Sequence, residues 1–363
     1  MNDTKETSFI ILGLALFSMF FGGGNLIFPL QLGVNGGDFW MTGTLGFILS
    51  GVFLPLLGVI SILRFEGNVT SFFSLMGKWP AFLFRFLLLT FWIPLGSSPR
   101  CITLSYEGAR ALFSSLPFAA FSAFFCLLTY FCLFKKSAFI EILGKFLTPV
   151  LLFLLLGVLV AGVSEGGFES ISREESIALQ NYQVQNFSEA FWLGLKMGYN
   201  TMDLIASFFF VSSILSLLGH SKRKKRIIVK ASCLALFILT SVYSLMIFVA
   251  SLYAPAIWDI PSEKLFLILS EMILGEKAKM AVALTVTLAC FGTLMALTRV
   301  YGDFLKMMKV KEKSGIVGIL MVSFFVSLFG LKGITSITSP MMEVFYPTLL
   351  LFIIISFFRV PKS

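Results

Sequence analysis

Apolar residues run along this chain in ten long blocks, which are separated by short polar or charged segments. A helix that crosses a bilayer needs about 20 consecutive, mainly apolar residues. Inside lipid, only helices and closed barrels satisfy all of their backbone hydrogen bonds. The pattern therefore predicts an all-α, polytopic membrane protein. The predicted spans, numbered 1 to 10, cover residues 8–34, 40–63, 81–108, 115–134, 138–162, 188–218, 227–254, 278–305, 314–331 and 336–358.

Charges in the connecting segments indicate how the spans are oriented. Basic residues collect on every second connection and acidic residues on the others. The basic set comprises Lys5, Arg64, Lys78, Lys135, Lys136, the run SKRKKR at 221–226, Lys306, Lys309, Lys311, Lys313, Arg359 and Lys362. The acidic set comprises Asp38, Glu165, Glu169, Glu174, Glu175, Asp259, Glu263 and Glu271. Because cytoplasmic loops carry the excess of Lys and Arg, we expect both termini to lie in the cytoplasm.

Span 1 is interrupted by residues that do not favour a helix. It contains FFGGGNLIFP at 20–29, in which three glycines precede Asn25. Each Gly costs about 1 kcal/mol relative to Ala in a helix interior, so the three together predict a break. The pieces on either side are too short to cross a bilayer alone. This places the break near the middle of the membrane, and a turn outside the membrane is the alternative.

Span 6 carries a second interruption, in LKMGYNTMDL at 195–204. Interrupted segments at corresponding positions of two halves are the sequence signature of an inverted-repeat transporter. The acidic loop at 163–187 divides the chain into halves of five spans, and an odd number of spans reverses the orientation of the second half. We therefore predict a five-plus-five inverted repeat with discontinuous helices 1 and 6. Its parts are a first repeat at 1–162, the extracytoplasmic loop at 163–187 and an inverted repeat at 188–363.

Broken helices of this kind suit a zwitterionic solute. The half-helix that begins near Asn25 presents free N–H groups and a positive dipole end to a carboxylate. The half that ends near Phe21 presents carbonyl groups to an ammonium group or a sodium ion. Asp203, at the second break, is an ionisable residue inside the membrane and therefore a functional candidate; a structural tether is the alternative. For Arg100 and Glu107 in span 3, structural and gating roles remain open.

Composition excludes several other classes of protein. The chain is 57% hydrophobic and 13% charged, with a mean hydropathy of +0.93, whereas soluble domains are about a quarter charged. The net charge of +9 follows the topology, so we expect membrane lipid and a small solute as partners, no nucleic acid and no obligate protein partner. The five Cys form no CxxC pair and the single His220 lies in a basic segment, which argues against disulfides and a structural metal. Asp203 is isolated and no histidine lies inside the predicted spans, which argues against an enzyme. An ion channel remains a possible second class.

Five segments of the chain together resemble the BrnQ family of bacterial branched-chain amino-acid carriers. They are FFGGGNLIFPLQLG at 20–33, PRCITLSYEGA at 99–109, GKFLTPVLLFLLLG at 144–157, GYNTMDLIA at 198–206 and SPMMEVFYPTLLL at 339–351. The resemblance implies the inverted-repeat fold of the amino acid–polyamine–organocation superfamily, a location in the bacterial inner membrane, and uptake of leucine, isoleucine or valine with a cation. Because one methylene in an apolar pocket discriminates by only about 1–3 kcal/mol, we expect overlapping use of these three and of methionine. The implied coupling ion is sodium, and no other cofactor is implied; proton-coupled or sodium-independent transport is the alternative.

The resemblance also implies which residues act. The implied substrate-binding residues are Gly22, Gly23, Gly24 and Asn25 at the first break, Gly198, Tyr199, Thr201 and Asp203 at the second, and Tyr106, which would close the pocket. The implied ion-binding residues are Ser18, Phe21, Ala289 and Thr293. The chain departs from the family pattern at Gly292, where a second hydroxyl is expected. Losing a hard oxygen ligand weakens a sodium site.

Overall fold

The computed structural model describes residues 9–133, 138–166, 179, 182–218, 222–275 and 278–358, and each predicted span contains helix there. In the first half the helices are Phe9–Phe20, Gly23–Gly36, Trp40–Ile48, Leu54–Arg64, Val69–Phe73, Lys78–Trp92, Ser98–Leu112, Phe118–Leu133, Ala138–Glu141 and Thr148–Ser164. In the second half they are Phe187–Asn200, Asp203–Leu218, Lys222–Leu252, Ala254–Ile257, Leu265–Leu274, Ala278–Met307, Glu312–Ser327 and Gly330–Phe358. The predicted charges at Lys5, Lys135, Lys136, Glu169, Glu174, Glu175, Arg359 and Lys362, with His220 and Ser221, lie outside the described residues.

The apolar stretches are long enough for a multi-pass membrane protein. Among the described residues, six continuous helical stretches are long and apolar enough to cross a bilayer. The helices Glu312–Ser327 and Gly330–Thr338, which are bent by 113° relative to each other at the end of span 9, add a seventh candidate. Spans 1 and 6 are each divided in two, and span 4 is a shorter helix of 16 residues.

The two divided spans break where the sequence predicts. In span 1 the helix ends at Phe20 and begins again at Gly23, and in span 6 it ends at Asn200 and begins again at Asp203. Each break is therefore two residues long. Met202, within the second break, has a φ of 64°, a left-handed conformation that is costly for a residue with a long side chain.

Packing between the halves follows the inverted repeat. The most extensive contacts join span 1 to span 7, span 6 to span 2, and span 3 to span 8. Spans 1 to 5 correspond to spans 6 to 10 in the inverted repeat. Exchanging corresponding spans turns the pair of spans 1 and 7 into the pair of spans 6 and 2, and it leaves the pair of spans 3 and 8 unchanged. Glycines allow the close approach: an added Cβ at Gly33 would collide with the Ile247 carbonyl of span 7, and one at Gly194 with the Gly43 carbonyl of span 2. The inverted-repeat fold is confirmed, while the boundaries 1–162, 163–187 and 188–363 stay a prediction.

Proline shapes three of the spans in a way that the apolar pattern did not reveal. Spans 2, 3 and 5 contain π-helical segments at Leu49–Phe53, Ile93–Ser97 and Ile142–Leu147. Each segment is followed within two residues by a proline. A proline lacks an N–H and collides with the carbonyl four residues before it, and a π turn accommodates both effects.

The connection between spans 7 and 8 corrects another expectation. The sequence assigns Asp259, Glu263 and Glu271 to a loop, but Glu271 lies in the ten-residue helix Leu265–Leu274. This helix buries one face, including Leu269, against spans 5 and 8. Its length is below the threshold for a membrane span, so the pattern alone could not distinguish it from a loop that carries apolar residues.

Candidate functional site

The two breaks meet at a small central cavity of about 30 Å³. Its wall contains residues from both breaks together with residues of spans 3 and 8. The residues that line the cavity include Met19, Phe20, Gly22, Gly23, Gly24, Asn25, Trp92, Ser97, Arg100, Thr201, Met202, Asp203, Phe210, Thr293 and Leu297. Six of the nine predicted substrate-binding residues are therefore brought together. A water molecule needs about 10–15 Å³ of such volume, so the cavity as it stands is too small for an amino acid.

A buried carboxylate links the breaks to span 7. Asp203 is 1% exposed, and the Asn25 side-chain amide donates to its two oxygens at 3.0 and 2.9 Å. The Tyr243 hydroxyl also donates to the carboxylate, at 2.9 Å, and contacts the Asn25 amide. The Gly22 N–H donates to the Asn25 side-chain oxygen at 3.3 Å. No Lys, Arg or His of the described chain is within ion-pair distance of Asp203. The carboxylate is thus held by neutral donors alone.

A cluster of oxygen atoms lies beside the first break, where span 8 passes it. The Thr293 hydroxyl donates toward the carbonyl oxygens of Ser18 and Met19, at 3.2 and 3.1 Å. The Ser18 hydroxyl is buried without a hydrogen-bond partner. Phe21 and Ala289, the other two predicted ion-binding residues, are both fully buried. In the sequence, Phe21 is close to Ser18 and Ala289 is close to Thr293. Among the residues that the structure describes, no group of three or more His, Cys, Asp or Glu could hold a metal.

Gly292, which departs from the family pattern, is explained by Ser18. An added Cβ at position 292 would collide with the Ser18 hydroxyl oxygen and would lie 3.1 Å from the Ser18 carbonyl oxygen. The Ser18 hydroxyl therefore occupies the space that a side chain at 292 would need. An oxygen of span 1 therefore lies where a side chain of span 8 would otherwise lie.

Three of the predicted residues lie away from the central cavity. The Tyr106 hydroxyl donates to the Leu116 carbonyl oxygen at 3.0 Å, because Tyr106 is six residues beyond Arg100 and so faces about 240° round the helix from it. Gly198 packs on span 2, where an added Cβ would lie 3.0 Å from the Gly51 nitrogen. The Tyr199 hydroxyl donates to the Met342 carbonyl oxygen at 3.0 Å. None of the three lines the cavity.

Several residues of the site were not predicted from the sequence. Tyr243 stands in an ordinary apolar span and gives no signal of its own. Met202 lies in the second break, but its side-chain position could not be inferred from sequence. Arg100 was visible as a charge inside span 3, and the structure places it on the cavity, with its guanidinium donating to the Thr338 hydroxyl at 3.0 Å.

Two larger cavities flank the central one. The first, called the Trp258 vestibule, has a volume of about 530 Å³ and shares Gly23, Gly24 and Arg100 with the central cavity. The second, called the Arg85 vestibule, has a volume of about 330 Å³ and is lined by Arg85, Leu89, Phe209, Asp303 and Phe304 among others.

The barriers on the two sides of the central cavity differ in thickness. Toward the Arg85 vestibule, Trp92 packs against Phe209 and Phe210 with ring centroids 6.0 and 5.9 Å apart, and all three are buried. Toward the Trp258 vestibule, Gly23, Gly24 and Arg100 line both cavities, so no separate layer of side chains intervenes. At the Arg85 vestibule, Arg299 pairs with the lining residue Asp303 and with Glu312, both at 3.2 Å.

Comparisons with known proteins agree with this geometry. Residues 5–361 match the family model described as branched-chain amino acid transport protein. A Staphylococcus aureus (strain USA300) protein named as a branched-chain amino acid carrier is 28% identical over 373 residues, covering 96% of this chain and 82% of that protein. A Staphylococcus epidermidis protein of the same name is 29% identical over 381 residues, with the same coverage.

Two solved transporters share the fold. Mhp1, a nucleobase-cation-symport-1 family transporter in a closed conformation with bromovinylhydantoin bound, aligns with a TM-score of 0.64 at 14% identity, over 95% of this chain and 77% of its own. MhsT in complex with L-phenylalanine aligns with a TM-score of 0.58 at 17% identity, over 91% of this chain and 79% of its own. At these identities the likeness establishes the fold alone.

Proposed function

Because the chain belongs to the family of branched-chain amino acid transport proteins, we propose that it is a symporter that imports leucine, isoleucine and valine, and also methionine, with sodium across a bacterial cytoplasmic membrane. The observation that carries the proposal is the meeting of the two helix breaks at one cavity between two vestibules. Exposed main-chain groups are costly in lipid, and a polar solute that uses them gives the breaks a function.

The charged end and the side chain of the substrate would have separate partners. The Gly23 half-helix begins at the cavity, and the N–H groups at the start of a helix suit an anion. Phe20, Trp92 and Phe210 form an apolar wall on the cavity, which suits a branched aliphatic side chain. One methylene in an apolar pocket discriminates by only about 1–3 kcal/mol. We therefore expect overlapping affinities for the branched substrates.

Sodium coupling is proposed from the oxygen atoms beside the first break. Carbonyl groups of an unwound helix suit a sodium ion, and the Ser18 and Met19 carbonyl oxygens lie together with the Thr293 hydroxyl. The partnerless Ser18 hydroxyl would supply the oxygen that is missing at Gly292. Sodium is a transported co-substrate here, and its inward gradient would drive accumulation.

Proton coupling is the second candidate, because one observation favours it. Asp203 has only neutral hydrogen-bond donors as partners, and an uncompensated buried carboxylate is costly unless it gains a proton or a cation. A proton taken up at Asp203 on one side and released on the other would couple transport to a pH gradient.

Alternating access would connect the three cavities. The Trp258 vestibule carries Asp259 and Glu263, which the predicted topology places outside, and the Arg85 vestibule would then face the cytoplasm. Opening toward the cytoplasm would require the Trp92, Phe209 and Phe210 layer to part. Rocking of one helix bundle against the other is the motion that inverted repeats support.

The test is uptake of labelled leucine by proteoliposomes under an inward sodium gradient, an inward potassium gradient or an inward proton gradient. We expect accumulation with sodium, loss of sodium dependence in Thr293→Val, and normal behaviour in Thr285→Val. Thr285 is a matched control, because it is buried on the same helix and donates only to the Ala281 carbonyl of its own helix, at 2.7 Å.

Each alternative has its own outcome. Accumulation with a proton gradient alone would replace sodium by protons as the coupling ion. Ion conductance without any amino acid would indicate a channel. If no apolar amino acid accumulated under any gradient, the transport proposal would be wrong.

A further inference from the structure

Arg100 is a buried cation whose hydrogen-bonding capacity is largely unused. It is 7% exposed, its guanidinium donates to the neutral Thr338 hydroxyl at 3.0 Å, and its Nε is buried without an acceptor. No carboxylate of the described chain lies within ion-pair distance of it. An arginine stays charged and presents five donors in a planar fork, and a buried charge without a counter-charge is strongly destabilising. An anion from outside the chain would supply the missing counter-charge.

The position of Arg100 favours a solute anion. The residue lines both the central cavity and the Trp258 vestibule, so a solute that enters from the vestibule meets it at the threshold of the cavity. Gly23, the first residue of the second half of span 1, is close by, because its added Cβ would lie 3.8 Å from the Arg100 carbonyl oxygen. A helix N-terminus and a guanidinium group, converging on one cavity, both attract a carboxylate.

The opposite charge lines the same cavity. Asp203 is buried there with neutral donors only, and it does not pair with Arg100. A cavity that holds one cation and one anion, each without a counter-charge, matches a solute that carries both charges. The proposal below rests on the proposed function, because it concerns the same cavity.

We propose that Arg100 binds the carboxylate of the transported amino acid, while Asp203 faces its ammonium group. Binding would give each buried charge its missing partner, and a bidentate contact from the fork to the carboxylate would fix the orientation of the substrate. Solutes that lack either charge would leave one side chain uncompensated. The requirement for a free carboxylate is therefore set by span 3, in addition to the exposed main chain of span 1.

A purely structural role for Arg100, as a tether between span 3 and span 10, makes different predictions. Arg85 provides the matched control: it lies on the same span, is 8% exposed, donates to the Thr70 hydroxyl at 3.0 Å and has a buried Nε without an acceptor. It lines the Arg85 vestibule and not the central cavity. Thr338→Val removes the tether while leaving Arg100 in place.

The experiment compares L-leucine with L-leucinamide, which keeps the ammonium group and lacks the carboxylate. Ligand-induced thermal stabilisation of the purified, full-length protein gives the apparent affinity for each. In Arg100→Gln we expect the affinity for leucine to fall about 10- to 100-fold, as for loss of a charge-assisted hydrogen bond. The affinity for leucinamide should stay within about threefold of wild type, so the ratio between the two ligands collapses. Arg100→Lys, which keeps the charge but not the fork, should have an intermediate ratio.

The two control variants should keep the wild-type ratio of leucine to leucinamide affinity. The inference is overturned if Arg100→Gln and Arg100→Lys bind leucine as wild type does, if they lose both ligands equally, or if Arg85→Gln collapses the ratio as well. If the wild-type protein binds no leucine, the proposed function fails together with this inference, and that result is distinct from a preserved ratio in the Arg100 variants.

Discussion

Gly22→Ala tests how closely the first break is packed against span 8. An added Cβ at Gly22 would lie 2.7, 2.8 and 2.9 Å from Oγ1, Cγ2 and Cβ of Thr293, and real Cβ atoms do not come so close. Thr293 cannot easily rotate away, because a β-branched side chain in a helix has few rotamers and its hydroxyl is bonded to the Ser18 and Met19 carbonyl oxygens. The methyl group must therefore push the break and span 8 apart.

The cost of Gly22→Ala has two parts. Overpacking costs about 1–3 kcal/mol, and weakening of the Thr293 hydrogen bonds costs about 0.5–1.5 kcal/mol, so we expect about 1.5–4.5 kcal/mol of destabilisation. Because Thr293 is a proposed sodium ligand, the sodium concentration for half-maximal leucine uptake should also rise about tenfold, the equivalent of 1.4 kcal/mol.

The assays for Gly22→Ala are thermal unfolding of the purified protein and sodium-dependent uptake in proteoliposomes. Gly157→Ala is the matched control, because an added Cβ at Gly157 meets nothing within 4 Å, and a helical Gly→Ala change stabilises by about 1 kcal/mol. Adding Thr293→Ser to Gly22→Ala should restore part of the stability, since it removes Cγ2. If Gly22→Ala kept wild-type stability and wild-type sodium dependence, the first break would not be closely packed against Thr293.

Three further variants probe the site. Asp203→Asn should abolish uptake while the protein still inserts, because an amide at 203 would confront the donating amide of Asn25; uptake at the wild-type rate would contradict this. Tyr243→Phe should cost about 1.5–3 kcal/mol, the range for a hydrogen bond to a charged group, measured by thermal unfolding; an unchanged unfolding temperature would show that the bond is not formed. Tyr106→Phe should leave the affinity for leucine unchanged in a binding assay, because its hydroxyl bonds the Leu116 carbonyl oxygen away from the cavity; a large loss of affinity would mean that Tyr106 does reach the substrate.

The features that the sequence predicted correctly are those that leave a local signal. Each of the ten predicted apolar spans contains helix in the part of the chain that the structure describes, and both breaks were visible because glycines or polar residues interrupt apolar runs. Asn25 and Asp203, at those breaks, are brought together on one cavity. The physical reason is that lipid tolerates an interrupted helix only where protein or a solute satisfies the free backbone.

The features that were missed depend on the orientation of a side chain or on contacts between distant spans. Tyr106 belongs to the segment at 99–109 that carries the family resemblance. It points away from the cavity, because its angular position on the helix differs from that of Arg100. Tyr243 reaches the site only through the packing of span 7 on span 1. The Ser18 hydroxyl occupies the space beside Gly292, a contact between two spans that no single stretch of sequence reveals.

If the exposed main chain of the two breaks receives the amino acid, covering it with a side chain in Gly23→Leu should abolish transport. Gly23 lines both the central cavity and the Trp258 vestibule, and the closest side-chain atom to its added Cβ is the flexible Cδ1 of Leu104, at 2.5 Å. The larger side chain should therefore fit in the folded protein while covering the start of the half-helix. We predict that proteoliposomes with the wild-type protein accumulate labelled leucine, and that those with an equally monodisperse Gly23→Leu protein do not. Accumulation at the wild-type rate by Gly23→Leu would show that the exposed main chain does not receive the amino acid and that the glycines serve packing alone.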